Sequence, residues 1–211
     1  MPRKVGPMRQ PRFSGDLPSH IIADTSVIIN LNATGIASDI IRSLNVTLRA
    51  STVVRDELID DRISGRNDAD LAQQLVRDGL LQFVELNEVS EAVFESLVSG
   101  NAETTLDDGE AATLALAVSS QGLAIIDERK AVRIAGDRFP ALQLLATADL
   151  LQSDRILRAL GNERLAQAVL RGLKGARMAI AECHHDWIID LLGDQVGECS
   201  SLPAALRRAS A

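Results

Sequence analysis

Tyrosine is absent from this 211-residue sequence, tryptophan occurs once, at Trp187, and aromatic residues make up only 2% of the chain. Proteins that grip single strands stack bases on aromatic side chains, so the composition argues against a sequence-reading RNA module of that kind. Positive charge is also in deficit. With a formal net charge of −7 and a pI near 5.0, the chain is a poor candidate for binding nucleic acid by blanket neutralisation of phosphates. Any such contact must be local or bridged by metal.

Cysteine is scarce, and Cys183 and Cys199 lack the density and spacing of a disulfide framework or a zinc site, which fits a reducing cytoplasm. No stretch reaches the roughly 18 consecutive apolar residues of a membrane span. No apolar segment follows the basic N-terminus as a secretion signal would require. These absences predict a soluble, cytoplasmic protein with no membrane association.

What remains is a chain with 46% hydrophobic residues and no internal repeat, long enough for one core with an appendix. Residues 1–20 hold Pro2, Pro7, Pro11 and Pro18 beside Arg3, Lys4, Arg9 and Arg12. That composition predicts a flexible basic arm, which either touches RNA or is simply a tail. Residues 21–150 alternate short apolar runs with helix-period segments. IIAD (21–24), VTLRA (46–50), LLQFVEL (80–86), LAII (123–126) and ALQLLA (141–146) are strand candidates. Helical stretches are expected at 26–44, 51–62, 67–79, 88–99, 108–121 and 128–137. The alternation predicts an α/β fold with a central parallel sheet flanked by helices. From about residue 151 to 211 amphipathic helix dominates, in 150–160, 163–173 and 185–192, and predicts a helical extension packed on the sheet domain.

Four acids stand where such a fold puts ligands. Asp24 ends an apolar run, and the carboxyl ends of parallel strands form the ligand crevice of open α/β sheets. Thr25 and Ser26 follow at a helix start, where a hydroxyl can cap backbone amides or touch a phosphate. Asp127 repeats the device after LAII, with Glu128 as its substitute if the register is displaced by one residue. Otherwise Glu128 is a first-turn acid favoured by the helix dipole. Glu110 opens an apolar helix that Asp107 or Asp108 can cap; it is either a site acid or the third-position acid of a capping arrangement. Glu57, in STVVRDELIDD, is either a site acid or part of a solvated acidic face. Arg129 and Arg133 either meet substrate phosphates or pair with Glu128 or Asp137. The cluster Cys183, His184 and His185 has no second spaced pair to complete a zinc site, so a surface or helix-start cluster beside Trp187 is favoured. Carboxylates at separate strand and helix ends suit Mg²⁺ or Mn²⁺, which prefer oxygen ligands.

The segments IIADTSVIINL (21–31), STVVRDELI (51–59), GEAATLALA (109–117) and LAIIDERKAVRIA (123–135) together resemble the PIN-domain family, and within it the VapC-like predicted nucleases of bacterial toxin-antitoxin pairs. The resemblance implies a PIN-like fold in which Asp24, Glu57, Glu110 and Asp127 are both catalytic and metal-binding. Ser26 would be the hydroxyl beside the first acid, with Asp108, Glu128 and Arg129 supporting the site or the substrate. It further implies RNA cleavage with Mg²⁺ or Mn²⁺, a small antitoxin partner and a homodimer. Two other readings compete: a non-catalytic PIN-like module that binds RNA or protein, and a metal phosphohydrolase acting on DNA or small substrates.

Overall fold

A computed structural model of the chain describes residues 17, 18, 20–61 and 67–209. Five short strands, β1 (His20–Ala23), β2 (Thr47–Ser51), β3 (Leu81–Val84), β4 (Leu123–Ile125) and β5 (Gln143–Leu145), form one wholly parallel sheet in the order β3-β2-β1-β4-β5. Parallel strands need crossovers, and the intervening helices supply them: α1 (Thr25–Ala33) and α2 (Ala37–Leu44), then α3 (Thr52–Asp61) and α4 (Asp68–Arg77). These are followed by α5 (Glu88–Val98), α6 (Asp108–Ser119) and α7 (Arg129–Arg138). The α/β class and central parallel sheet expected from the alternating pattern are therefore present. The proposed basic arm lies outside the described residues, apart from Leu17, Pro18 and His20.

Alternation along the strands divides the core in two. Ile21, Ala23, Leu48, Ala50 and Ile125 face a cluster that includes Val27 and Ile28 of α1 and Val54 of α3. Ile22, Ala124 and Ile126 face the opposite cluster, with Leu97 of α5, Leu114 of α6 and Ile134 of α7. Residues two apart on a strand share a face, so Asp24, next after Ala23, continues the side of Ile22 and looks toward α6.

Two long helices expected from periodicity are broken. The 26–44 stretch divides at Thr34 to Ile36, where Gly35 takes φ of 72°, a conformation that costs glycine nothing. The 150–160 stretch divides into α8 (Thr147–Leu151) and α9 (Asp154–Leu160), because Ser153 caps the second piece by accepting from the Ile156 amide at 3.4 Å. Then come α10 (Asn162–Gly175), α11 (His185–Leu192) and α12 (Ala204–Ala209). Leu165, Val169, Leu173, Ile188 and Val196 of this C-terminal part belong to the same core cluster as Ile21. The extension thus shares the sheet's own core on the α1 side.

Candidate functional site

The strand order reverses direction between β1 and β4, and the crevice beyond the carboxyl ends of such strands is where open α/β sheets bind ligands. Asp24 is delivered there directly by β1. It is 4% exposed and caps α1, with the Ser26 hydroxyl donating to Oδ2 at 2.9 Å and the Ser26 amide at 3.4 Å. Burial pushes its carboxyl above the ordinary range; the bonds from Ser26 and Thr25 oppose this, and the charge of Glu57 adds to it.

Glu57 reaches the same place from α3. Its Oε2 accepts from the Thr25 hydroxyl, and its Oε1 accepts from the Gly109 amide at 2.8 Å. One carboxylate therefore joins the first turn of α1 to the first turn of α6. Asp107 occupies the N-cap position of α6 but makes no side-chain capping bond, so Glu57 caps α6 from a different helix. The approach demands glycine. A Cβ at Gly109 would lie 2.8 Å from Glu57 Cδ, so the Glu57 carboxylate could not keep its place against a larger residue.

Glu110 stands next to that contact, on the first turn of α6. Burial first, then the charges of Asp24, Asp107 and Glu128, push its carboxyl from 4.5 up to about 7. Asp24, Glu57 and Glu110 thus come together from three separate elements. Asp108 and Arg129 are exposed at the first positions of α6 and α7. Glu128 is exposed and caps α7 by accepting from the Lys130 amide at 3.2 Å.

Asp127 is held by three donors. Its Oδ1 accepts from the Thr147 amide at 2.8 Å, and its Oδ2 accepts from the Thr147 hydroxyl at 2.6 Å and the Asn30 side-chain amide at 2.8 Å. Burial raises its carboxyl, these bonds lower it, and the charge that raises it further is that of Asp149. The neighbouring pair is consequently divided: Glu128 acts on Glu110, whereas Asp127 ties the end of β4 to α8 and α1. Asn30 is not among the residues that the sequence pattern singles out. Asn30 left a signal, a polar residue inside the apolar run VIINL, which is costly to bury without a partner.

Among the described residues no three His, Cys, Asp or Glu side chains stand as a ready-made metal cage. The donor chemistry still fits a hard divalent cation, because Asp24, Glu57 and Glu110 offer only carboxylate oxygens. Glu57 is seated against Gly109, and burial first, then neighbouring negative charge, raises Asp24 and Glu110, a repulsion that a cation would relieve. No described helix is long and apolar enough to cross a membrane.

A family model described as DUF3368, a PIN domain, matches residues 20–190. No curated protein matches the chain. Among solved structures, the chain is similar to one from the crystal structure of VapBC2 from Rickettsia felis bound to a DNA fragment from their promoter. The identity is 13% and the TM-score 0.42, over 60% of this chain and 98% of that one.

Proposed function

Because the chain belongs to the PIN-domain family, whose model spans residues 20–190, we propose that it is a metal-dependent ribonuclease with Asp24, Glu57 and Glu110 as the residues that hold Mg²⁺ or Mn²⁺. PIN domains are generally nucleases and typically use divalent metals. What supports the reading is that Asp24 feels the charge of Glu57 and Glu110 that of Asp24, from β1, α3 and α6, with Glu110 pushed up to about 7 by burial and its neighbours. A bound cation offsets phosphate charge and lowers the pKa of an attacking water.

The protein's own groups orient the site. Ser26 fixes Asp24, and Thr25 with the Gly109 amide fixes both oxygens of Glu57. Glu110 is the acid whose proton is exchangeable near neutral pH, as a group serving acid or base chemistry requires. Glu128, which is exposed, is the third acid acting on Glu110, and Arg129 next to it is placed to meet a substrate phosphate. Asp127, carrying three protein donors, serves in this reading as an anchor of the site rather than a ligand. An RNA substrate, restraint by a small antitoxin and homodimerisation rest on the family resemblance of the four sequence segments. Light scattering of the chain, alone and co-expressed with any short adjoining reading frame, tests the last two.

The absence of a ready-made three-ligand cage among the described residues favours a second reading, a non-catalytic PIN module that binds RNA or protein. The discriminating experiment is cleavage of a panel of structured RNAs with Mg²⁺ or Mn²⁺, with EDTA and with Asp24→Asn. The nuclease reading expects metal-dependent cleavage that disappears in EDTA and in a folded Asp24→Asn variant. RNA binding with no cleavage under either metal would establish the second reading instead.

A further inference from the structure

The AECHHDW segment (181–187) sends one side chain inward. His184 is 2% exposed. Its Nδ1 is 3.0 Å from Gln152 Oε1, and its Nε2 is 3.2 Å from Asp149 Oδ1. The other oxygen of Asp149, Oδ2, accepts from the Ala146 amide at 2.8 Å and closes the start of α8. One residue on, Thr147 gives its amide and its hydroxyl to Asp127. His184 and Asp149 are thus joined to Asp127 and Asn30 by two sets of polar contacts that meet at the backbone of Ala146 and Thr147. These contacts run from the C-terminal extension to the end of β4, with Thr147 fully buried and Asn30 4% exposed.

We propose that His184 is a positioning residue for the acid site, acting through Asp149 and Thr147 on the Asp127 carboxylate. The proposal rests on the nuclease reading above for its catalytic consequence only. The physical reason is the weakness of α8. A helix of five residues (Thr147–Leu151) cannot hold itself, because nucleation costs more than so few bonds return. It is pinned by Asp127 and Asp149 at its start and by His184 on Asp149 and Gln152 across its length. The ring also sits between two oxygens, Gln152 Oε1 and Asp149 Oδ1, and Asp149 is the acid that acts on Asp127. Removing His184 releases α8 and with it the Thr147 amide and hydroxyl that hold Asp127, which displaces the loop carrying Asp127 and Glu128.

The test uses the full chain with His184→Asn, and with Asp149→Asn, which keeps a capping oxygen while removing the charge. In amide NMR spectra of metal-free protein, the Thr147 resonance is expected to move in both variants while that of Gly109, held by Glu57, stays in place. In the cleavage assay, kcat is expected to fall about tenfold with KM for RNA unchanged, the size of effect typical when support behind a metal site is lost. A Thr147 amide that stays put in either folded variant overturns the proposal. So does an equal disturbance of Thr147 and Gly109, which would mean general loosening. If wild-type protein cleaves no RNA while the Thr147 resonance responds as expected, the relay stands and the nuclease reading alone fails. Should His184→Asn not fold, Asp149→Asn decides by the same resonances.

Discussion

Glu57 and Gly109, 52 residues apart in sequence, are in direct contact: the Gly109 amide donates to Glu57 Oε1 at 2.8 Å, and there is no room between them for a methyl group. The contact makes the glycine before Glu110 part of the site rather than a mere helix start. It also explains how a carboxylate on α3 is held still beside Glu110.

Gly109→Ala is therefore expected to push Glu57 out of position. Overpacking of this kind costs about 1 to 3 kcal/mol, read as a melting temperature lower by roughly 3 to 10 °C for a chain of this size. Metal-dependent cleavage should fall far more than stability, because the displaced group is a proposed ligand. Ala111→Gly, at a fully buried position on the same helix, provides the comparison: similar or greater destabilisation with cleavage retained. Equal cleavage by Gly109→Ala and wild type would remove Glu57 from the site.

Asp127→Asn and Glu128→Gln should separate the roles of the adjacent acids. Asp127 receives three donors, and an amide in its place presents N–H groups to some of them. Leaving buried donors without acceptors costs about 1 to 3 kcal/mol, so Asp127→Asn should unfold at lower temperature and lower denaturant. Glu128 is exposed, and Glu128→Gln should melt as wild type does while lowering the pKa of Glu110, since one of the charges raising it is gone. Carboxyl titration by NMR measures the second effect, and chemical denaturation the first.

These contacts also show what was legible in the sequence. IIAD and LAII are continuous apolar runs ending in acids, and burial on both faces of a parallel sheet writes that pattern directly into the strand. The position of Asp24 beyond β1 followed from it. The same logic could not distinguish Asp127 from Glu128, because the donors that claim Asp127 are Asn30 and Thr147, at separations of 97 and 20 residues. No local period encodes such pairings. Nor could periodicity find the break at Gly35: a single glycine is tolerated within a helix, and its φ of 72° is fixed by how α2 must return to the sheet. The substitution of Glu57 for Asp107 as the partner of the α6 amides was equally hidden, since a capping rule looks only at residues beside the helix.

The stability of the metal-free protein should fall as pH rises through the range in which Glu110 loses its proton. Its carboxyl has an ordinary value of 4.5 and is raised to about 7 in the folded chain. The folded state therefore binds that proton more tightly than the unfolded state does, and between these values the unfolded chain carries fewer bound protons. With ν_U below ν_N, the slope of unfolding free energy against pH is negative. The contribution is complete below about pH 4.5 and is lost as pH climbs through about 7. Asp24 and Asp127, raised mainly by burial, contribute in the same direction. Glu110→Gln keeps the shape but cannot ionise, so its melting temperature should decline less between pH 5 and 8 than that of wild type, and it should exceed wild type at the alkaline end. Saturating Mn²⁺ should flatten the wild-type profile as well, because an ion that binds the folded carboxylates stabilises that state and relieves their repulsion. Melting curves at several pH values, with EDTA and with Mn²⁺, make the comparison. Parallel profiles for wild type and Glu110→Gln would mean that Glu110 is not the group whose ionisation strains the metal-free site.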